Sequence, residues 1–410
     1  MNKPWHKVIA LVDMNAFFAS IEQFDKPGWR GRPIAVTNGG IGTCIITSSY
    51  EARAYGIRTG MRLSDARKLC PQLIQAPSRP YRYAEVSRTI MRSLENITPD
   101  LEIFSVDEAF LDLSHCQRLY HYDPWHMGKL IKQTIFDSSG LLCSVGLSGD
   151  RSTAKWAAKQ KKPNGLTVIK PEQAGSALAD IAVTELCGIN KGIGRFLAQY
   201  GVFRCADMKN IPISVLGQRF GNPGRRIWLM AQGQDPESVN GHVAAAKSLG
   251  HGKVIPPNTV DGSVILLYLM HMSEKVAARL RHNRLHAQLF SFAFKTSDGW
   301  IKTRSKTIST TNDGKQIFQL CKFFFQQKWQ KNGVFQVHVA ALDPKPANGQ
   351  QDLFVSQNES RQILHRTIDR INHRYGEFTL CNAPLINRSS MPNVIAPAWK
   401  PDGHRDTLDH

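Results

Sequence analysis

The sequence predicts a multidomain fold of the α+β kind, on three observations. A chain of 410 residues exceeds one ordinary hydrophobic core, so roughly two to four domains are expected. Through about residue 170, strand-like apolar runs alternate with helical stretches, the pattern of a mixed α/β unit. Residues 173–238 then read as short helices broken by glycines, and a second helix-and-strand pattern starts at 261.

Taken in order, "KVIALVD" (7–13) is an apolar run ending in an acid, as in a central strand buried on both faces. "NAFFASIEQF" begins a helix, and "RPIAVTN" and "GTCIITSS" are two further strands. "SSYEARAYG" (48–56) opens a helix with serine caps and closes it at Gly56. A helix over 82–95 precedes "LEIFSV" and "AFLDLS", two arms of a hairpin with Asp107 and Glu108 at its tip. A helix (124–138), the strand "LCSVGLS" and a helix (150–161) complete the first pattern. The stretch "NGHVAAAKSLGHGKVIPPNT" has linker composition. Beyond it come a helix, strands at 289–296 and 299–309, a helix at 313–331 and a strand at 334–342. A polar tail follows, with one amphipathic helix at 359–374.

Composition narrows the partners. Lys and Arg total 52 against 33 acids, a net charge of +19, which points to a polyanion, nucleic acid first. No run of about 18 apolar residues is present, so no membrane span is expected. The start has no signal-peptide layout. The eight cysteines are scattered without a CxxC pair, as in a reduced, cytoplasmic protein.

Asp13 ends a buried strand, the usual place for a site in an open α/β sheet. Asp107 and Glu108 stand where a second strand ends, and a hairpin tip lets neighbouring residues serve one site. Such carboxylates suit Mg²⁺, two ions of which clamp the attacking and leaving oxygens of a phosphoryl transfer. Equally, they could cap turns or pair with arginines. Tyr50 and Arg53 share a helix face with Thr47 just ahead, and Lys162 follows a helix. These suit a phosphate, although each also suits an ordinary surface. No GxxxxGK[ST] is present, so any nucleotide is held without a P-loop. Lys302, Arg304 and Lys306 alternate, so as a strand they line one face, fit to follow a phosphate backbone. The other reading is an edge strand protected by charge.

"VDMNAFFASIEQ", "TSSYEARAYGIRTGM", "FSVDEAFLDLS", "GLSGDRSTAKWAAKQKKPNG" and "RFGNPGRRIWLMAQG" resemble, in order, the motifs of Y-family translesion DNA polymerases, nearest to the bacterial DNA polymerase IV type. The resemblance spans about 6–345. It implies a right-hand polymerase: a ferredoxin-like palm (1–16 and 79–170), small fingers (17–78), a helical thumb (171–240), a linker (241–247) and an α+β little finger (248–345). By that resemblance Asp13, Asp107 and Glu108, with the Met14 carbonyl, hold two Mg²⁺ ions, for which Mn²⁺ could substitute. Thr47, Tyr50, Arg53 and Lys162 grip the triphosphate of a dNTP. Phe17 and Phe18 border it, Phe18 as the steric gate against a 2′-hydroxyl and Phe17 as the ring better suited to the core. Cys44, Ile45 and Ile46 cover the templating base.

The implied reaction is attack of a primer 3′-hydroxyl on the dNTP, with low fidelity, no proofreading and bypass of damaged bases in a repair or SOS-type response. "LCGINKGIGRFLAQYGV" resembles a helix-hairpin-helix, with Gly188, Gly192 and Gly194 offering backbone N–H groups to DNA. Lys247 belongs to the connector, and Lys302, Arg304 and Lys306 to the little finger's DNA face. In the tail (346–410), Gln350, Leu353 and Phe354 of "QQDLF" fit a sliding-clamp peptide. A monomer is expected. Asp112 is expected to be structural. A catalytically inactive adaptor linking clamp and DNA is the rival reading.

Overall fold

The computed structural model describes residues 4–40, 43–242, 245–347 and 359–388. Among these, 4–242 form one compact unit and 245–388 another. The first unit opens with β1 (Ile9–Met14), α1 (Phe17–Asp25), β2 (Ile34–Thr37), β3 (Ile45–Ser48), α2 (Tyr50–Ala54), α3 (Leu63–Leu69), β4 (Ile74–Pro77) and α4 (Pro80–Glu95). Then come β5 (Leu101–Ile103), β6 (Glu108–Asp112), α5 (Pro124–Ser139), β7 (Cys143–Ser148), α6 (Arg151–Gln160) and β8 (Leu166–Val168).

The main sheet has the order β5-β6-β1-β7-β8. Every residue of β1 is buried because the strand is central and covered on both faces. Strand alternation divides its side chains. Ala10, Val12 and Met14 face the core shared with α1, α4 and α5. Ile9 and Leu11 face α6, packing with Phe110, Ala154 and Ala158. Helix α6 lies so close to β7 that a Cβ at Gly146 would run into the Ala154 carbonyl oxygen and the Ala158 amide nitrogen.

The small sheet β3-β2-β4 is shared in the same way. Ile34 and Val36 join the main core, whereas Ala35 and Ile45 join a separate one with Ile57, Leu63 and Ala66. The expected boundary between residues 16 and 17 therefore falls inside one core, since α1 packs with the main sheet. Helix α3 and strand β4 were not legible in the sequence, being short and flanked by polar residues.

Residues after β8 form α7 (Ala174–Leu178), α8 (Lys191–Ala198), α9 (Ile213–Phe220) and α10 (Asn222–Met230) around their own apolar cluster. Buried Arg151 ties this region to the main sheet, donating to Glu102 and to the Ser238 carbonyl.

The second unit holds β9 (Leu249–Thr259), α11 (Gly262–His282), β10 (Leu285–Thr296), β11 (Gly299–Thr311), α12 (Gly314–Lys328), β12 (Val334–Ala341), β13 (Lys345–Pro346) and α13 (Glu359–Tyr375). Its sheet runs β11-β10-β12-β9, with β13 beside β10. Phe290, Phe292 and Phe294 alternate along β10 toward α11 and α12, each worth roughly 1.5–3 kcal/mol on burial. Much of the stretch with linker composition is in fact strand β9. Its glycines serve packing: a Cβ at Gly250 or Gly252 would crowd the His338 ring on β12.

The tail helix α13 docks on this unit. Arg281 of α11 grips Asp369 through two bonds of 2.7 and 2.8 Å, Arg361 pairs with Asp313, and Lys275 pairs with Glu377. Leu385, further along, is fully buried.

Candidate active site

Strand pairing sets the geometry of the acids. Asp13, at the end of β1, stands directly opposite Glu108, the first residue of β6. Asp13 follows Ile9 and Leu11 in parity, so it faces α6, as does Glu108 two residues before Phe110. Asp107 sits in the hairpin tip, and its carbonyl accepts from the Met14 N–H at 2.9 Å. The turn thus brings both acids of the Asp-Glu pair beside Asp13. Asp112, opposite Ile9, accepts from the Ser114 N–H and hydroxyl and has a structural task.

Two lysines occupy the carboxylates. Lys162 Nζ lies 2.5 Å from Asp13 Oδ2, and Lys155 of α6 donates to both Glu108 oxygens at 2.8 and 2.7 Å. Among the described residues, Asp107 receives only the Ser105 hydroxyl from a side chain, at 2.6 Å. Burial, reinforced by Glu108 and Asp13, pushes Asp107 up to about 6. Burial also raises Asp13, against the pull of Lys162. Among the described residues no three acidic, His or Cys side chains close on one point as a ready metal cage. The donor set of three carboxylates and a main-chain carbonyl is nevertheless all hard oxygen, the type that fits Mg²⁺, and burial holds Asp107 and Asp13 above the usual carboxylate range. Lys155 was missed in the sequence. It stands on α6, while Lys162 lies beyond the end of that helix, so no helical spacing links the two.

Of the phosphate candidates, Tyr50 packs on the main core that holds Met14, Phe17 and Phe18, whereas Arg53 is exposed. Ile46 and Tyr50 are half-buried against that core. The Tyr50 hydroxyl is buried and has no hydrogen-bond partner among the described residues. Arg53 lies over the Tyr50 ring at 4.7 Å, with its Nε donating to the Ser48 carbonyl. Thr47 sits in β3 opposite Val36. Phe18 is stacked on Tyr83 at 4.3 Å between ring centroids, and Tyr83 donates to Glu22 at 2.8 Å, which Arg79 also holds. Phe17 is buried deeper than Phe18.

Two expectations need correction. Ile45 is buried in the small sheet's own core and cannot cover a templating base; alternation leaves Cys44 and Ile46 on the other side. Gly192 and Gly194 do not form the expected turn but lie inside α8. The Gly192 and Ile193 N–H groups are taken by the Asn190 side chain, and Gly194 is small to clear Thr184. Gly188, at φ +91°, is the glycine that makes the turn.

On β11, Trp300, Lys302, Arg304, Lys306 and Ile308 are exposed while the residues between them are half-buried, so the cations share one face of an edge strand. Lys247 is exposed ahead of β9. Gln350, Leu353 and Phe354 lie outside the described residues. No helix among those described is long and apolar enough to cross a membrane.

Residues 12–159 match the impB/mucB/samB family, and residues 246–353 match the C-terminal domain of that family. The chain is 34% identical to a DNA polymerase IV of Moorella thermoacetica over 90% of its own length and 94% of the relative's. It is 30% identical to a DNA polymerase IV of Desulfatibacillum aliphaticivorans over 94% and 99%. A Y-family DNA polymerase chimera of known structure superposes with a TM-score of 0.70 at 25% identity, over 83% of this chain and 99% of that one.

Proposed function

The chain belongs to the Y-family DNA polymerases and is a DNA-directed DNA polymerase of the translesion type, and on that premise we propose how its residues carry the reaction. The observation that bears most weight is the direct opposition of Asp13 and Glu108 on adjacent strands, with Asp107 drawn beside them. These three, with the Met14 carbonyl, would hold two divalent ions, Mg²⁺ or Mn²⁺. Such ions would favour loss of the proton from the primer 3′-hydroxyl and offset the negative charge on the leaving pyrophosphate.

The remaining work falls to the chain's own side chains. Lys162 and Arg53 neutralise and orient the triphosphate, and Lys162 in doing so leaves Asp13 to the cations. Tyr50 donates a hydroxyl for which no described residue supplies an acceptor, a donor suited to a phosphate oxygen. Thr47 adds a further hydroxyl from β3. Phe18, held flat by Tyr83, lies under the sugar and leaves no room for a 2′-hydroxyl. Cys44 and Ile46 lie above the templating base. Positioning and charge compensation do most of the work in such chemistry.

DNA is held by Lys302, Arg304 and Lys306 without sequence preference, with Lys247 and the Gly188 turn contributing. A sliding clamp takes the peptide 350–354. The described residues on either side of that peptide are both held by the second unit, Ala347 by Arg284 and Arg361 by Asp313. The inactive-adaptor alternative is not favoured. Primer extension tests the assignment: the protein should extend a primer with Mg²⁺, and Asp13→Ala should abolish synthesis while leaving DNA affinity within about twofold. Synthesis surviving Asp13→Ala would remove the carboxylates from the mechanism.

A further inference from the structure

We propose that Asn15 is a positioning residue for nucleotide binding, gripping the 162–165 turn so that the Lys162 ammonium is presented at the end of β1. This rests on Lys162 as a contact of the triphosphate.

Asn15 lies two residues beyond Asp13, between β1 and α1, and is 4% exposed. Its backbone is fixed first. Its N–H donates to the Leu142 carbonyl at 3.1 Å, and its own carbonyl accepts from the Ser20 hydroxyl at 2.6 Å. The side chain therefore points in one direction, and its two ends are told apart by their partners. A backbone N–H can only donate, so the atom facing the Asn164 N–H, at 2.7 Å, is Oδ1. Nδ2 then donates to the fully buried Ser144 hydroxyl at 2.9 Å. That hydroxyl also accepts from the Gly165 N–H at 3.2 Å.

Asn15 and Ser144 together thus hold two successive N–H groups of the turn that begins at Lys162. From the other side Lys132 binds the carbonyls of Asn164 and Gly165. The turn is gripped on both edges, and its first residue carries the ammonium that reaches Asp13. One device fixes both members of that ion pair, since Asn15 is anchored next to Asp13 and holds the turn of Lys162. An amide suits the task because it accepts and donates in one plane. A carboxylate there would add negative charge beside Lys162 and compete with Asp13 for it.

The test is single-nucleotide insertion by the full chain on a primer-template with Mg²⁺, titrating the dNTP. Asn15→Ala and Ser144→Ala should each raise KM for the dNTP on the order of tenfold, the effect of losing one or two hydrogen bonds. kcat should change by less than about twofold. Lys162→Met should raise KM as well, and in that background Asn15→Ala should add nothing further. A role in folding alone would lower the melting temperature and raise KM equally with or without Lys162, which overturns the proposal. If Asn15→Ala does not fold, Ser144→Ala carries the same cycle. If Lys162→Met raises KM while neither Asn15→Ala nor Ser144→Ala does, the positioning role alone fails. If Lys162→Met leaves KM unchanged, the assignment of Lys162 fails and this proposal with it.

Discussion

Replacing Asp107 by Asn should stabilise the metal-free protein while abolishing synthesis, and the size of the gain should depend on pH. Burial and the neighbouring Glu108 and Asp13 carboxylates raise Asp107 from 3.8 to about 6. Between those values the folded chain keeps a proton that the unfolded chain has lost, so stability falls as pH rises through the window. Above about pH 6 the folded state carries the full cost. At ~1.4 kcal/mol for each tenfold change this approaches 3 kcal/mol, and partial solvent access reduces it to the order of 1–2 kcal/mol. The amide of the Asp107→Asn variant carries no charge at any of these pH values, and its carbonyl can still accept from Ser105.

Urea unfolding in EDTA at pH 4, 5, 6 and 7.5 measures the difference between the two proteins. It should be near zero at about pH 4, grow to pH 6 and level off beyond. Adding Mg²⁺ with dNTP at pH 7.5 should then stabilise the native protein and not the variant. A difference independent of pH, or a variant less stable than the native protein at pH 7.5, would show that Asp107 is not short of compensating charge.

Three further outcomes follow from the same geometry. Phe18→Ala should reduce discrimination against ribonucleotides on the order of tenfold or more, measured as the ratio of kcat/KM for dNTP and rNTP; an unchanged ratio would take Phe18 away from the sugar. Replacing Lys302, Arg304 and Lys306 by Ala should lower the salt slope of DNA binding by about 0.9 for each phosphate no longer neutralised. A slope that stays the same would make the row a solvated edge. Arg281→Ala strands Asp369 and should destabilise the second unit by about 1–2 kcal/mol, with the segment 359–388 becoming sensitive to protease. Undiminished protection would mean that the docking of α13 does not depend on that pair.

The identity of the acids was legible because a charged residue within an apolar run is costly and conspicuous. Asp13 and Asp107 stand out in this way, and the alternation of Lys302, Arg304 and Lys306 was readable for the same reason of period. Lys155 was not, since a lysine on a helix is ordinary until its partner is known, and Glu108 lies 47 residues earlier. The glycines of "GINKGIG" were misassigned because composition does not distinguish a glycine that makes a turn from one that clears a neighbour. Ile45 was misplaced because a strand with apolar residues on both faces does not declare which face meets the solvent.

By itself the sequence determined the classes of structure and chemistry: strands and helices from periodicity, a polyanionic partner from charge, and hard-oxygen ligands from acids set in apolar runs. These are properties of short windows and of composition, where local physics suffices. Tertiary structure decided the pairings: Asp13 with Glu108, Lys155 and Lys162 with the acids, Asn15 with the turn after Lys162, and α13 with the helices of the second unit. Each joins segments distant along the chain, and such pairings exist only once strand register and helix packing have brought them within bonding reach.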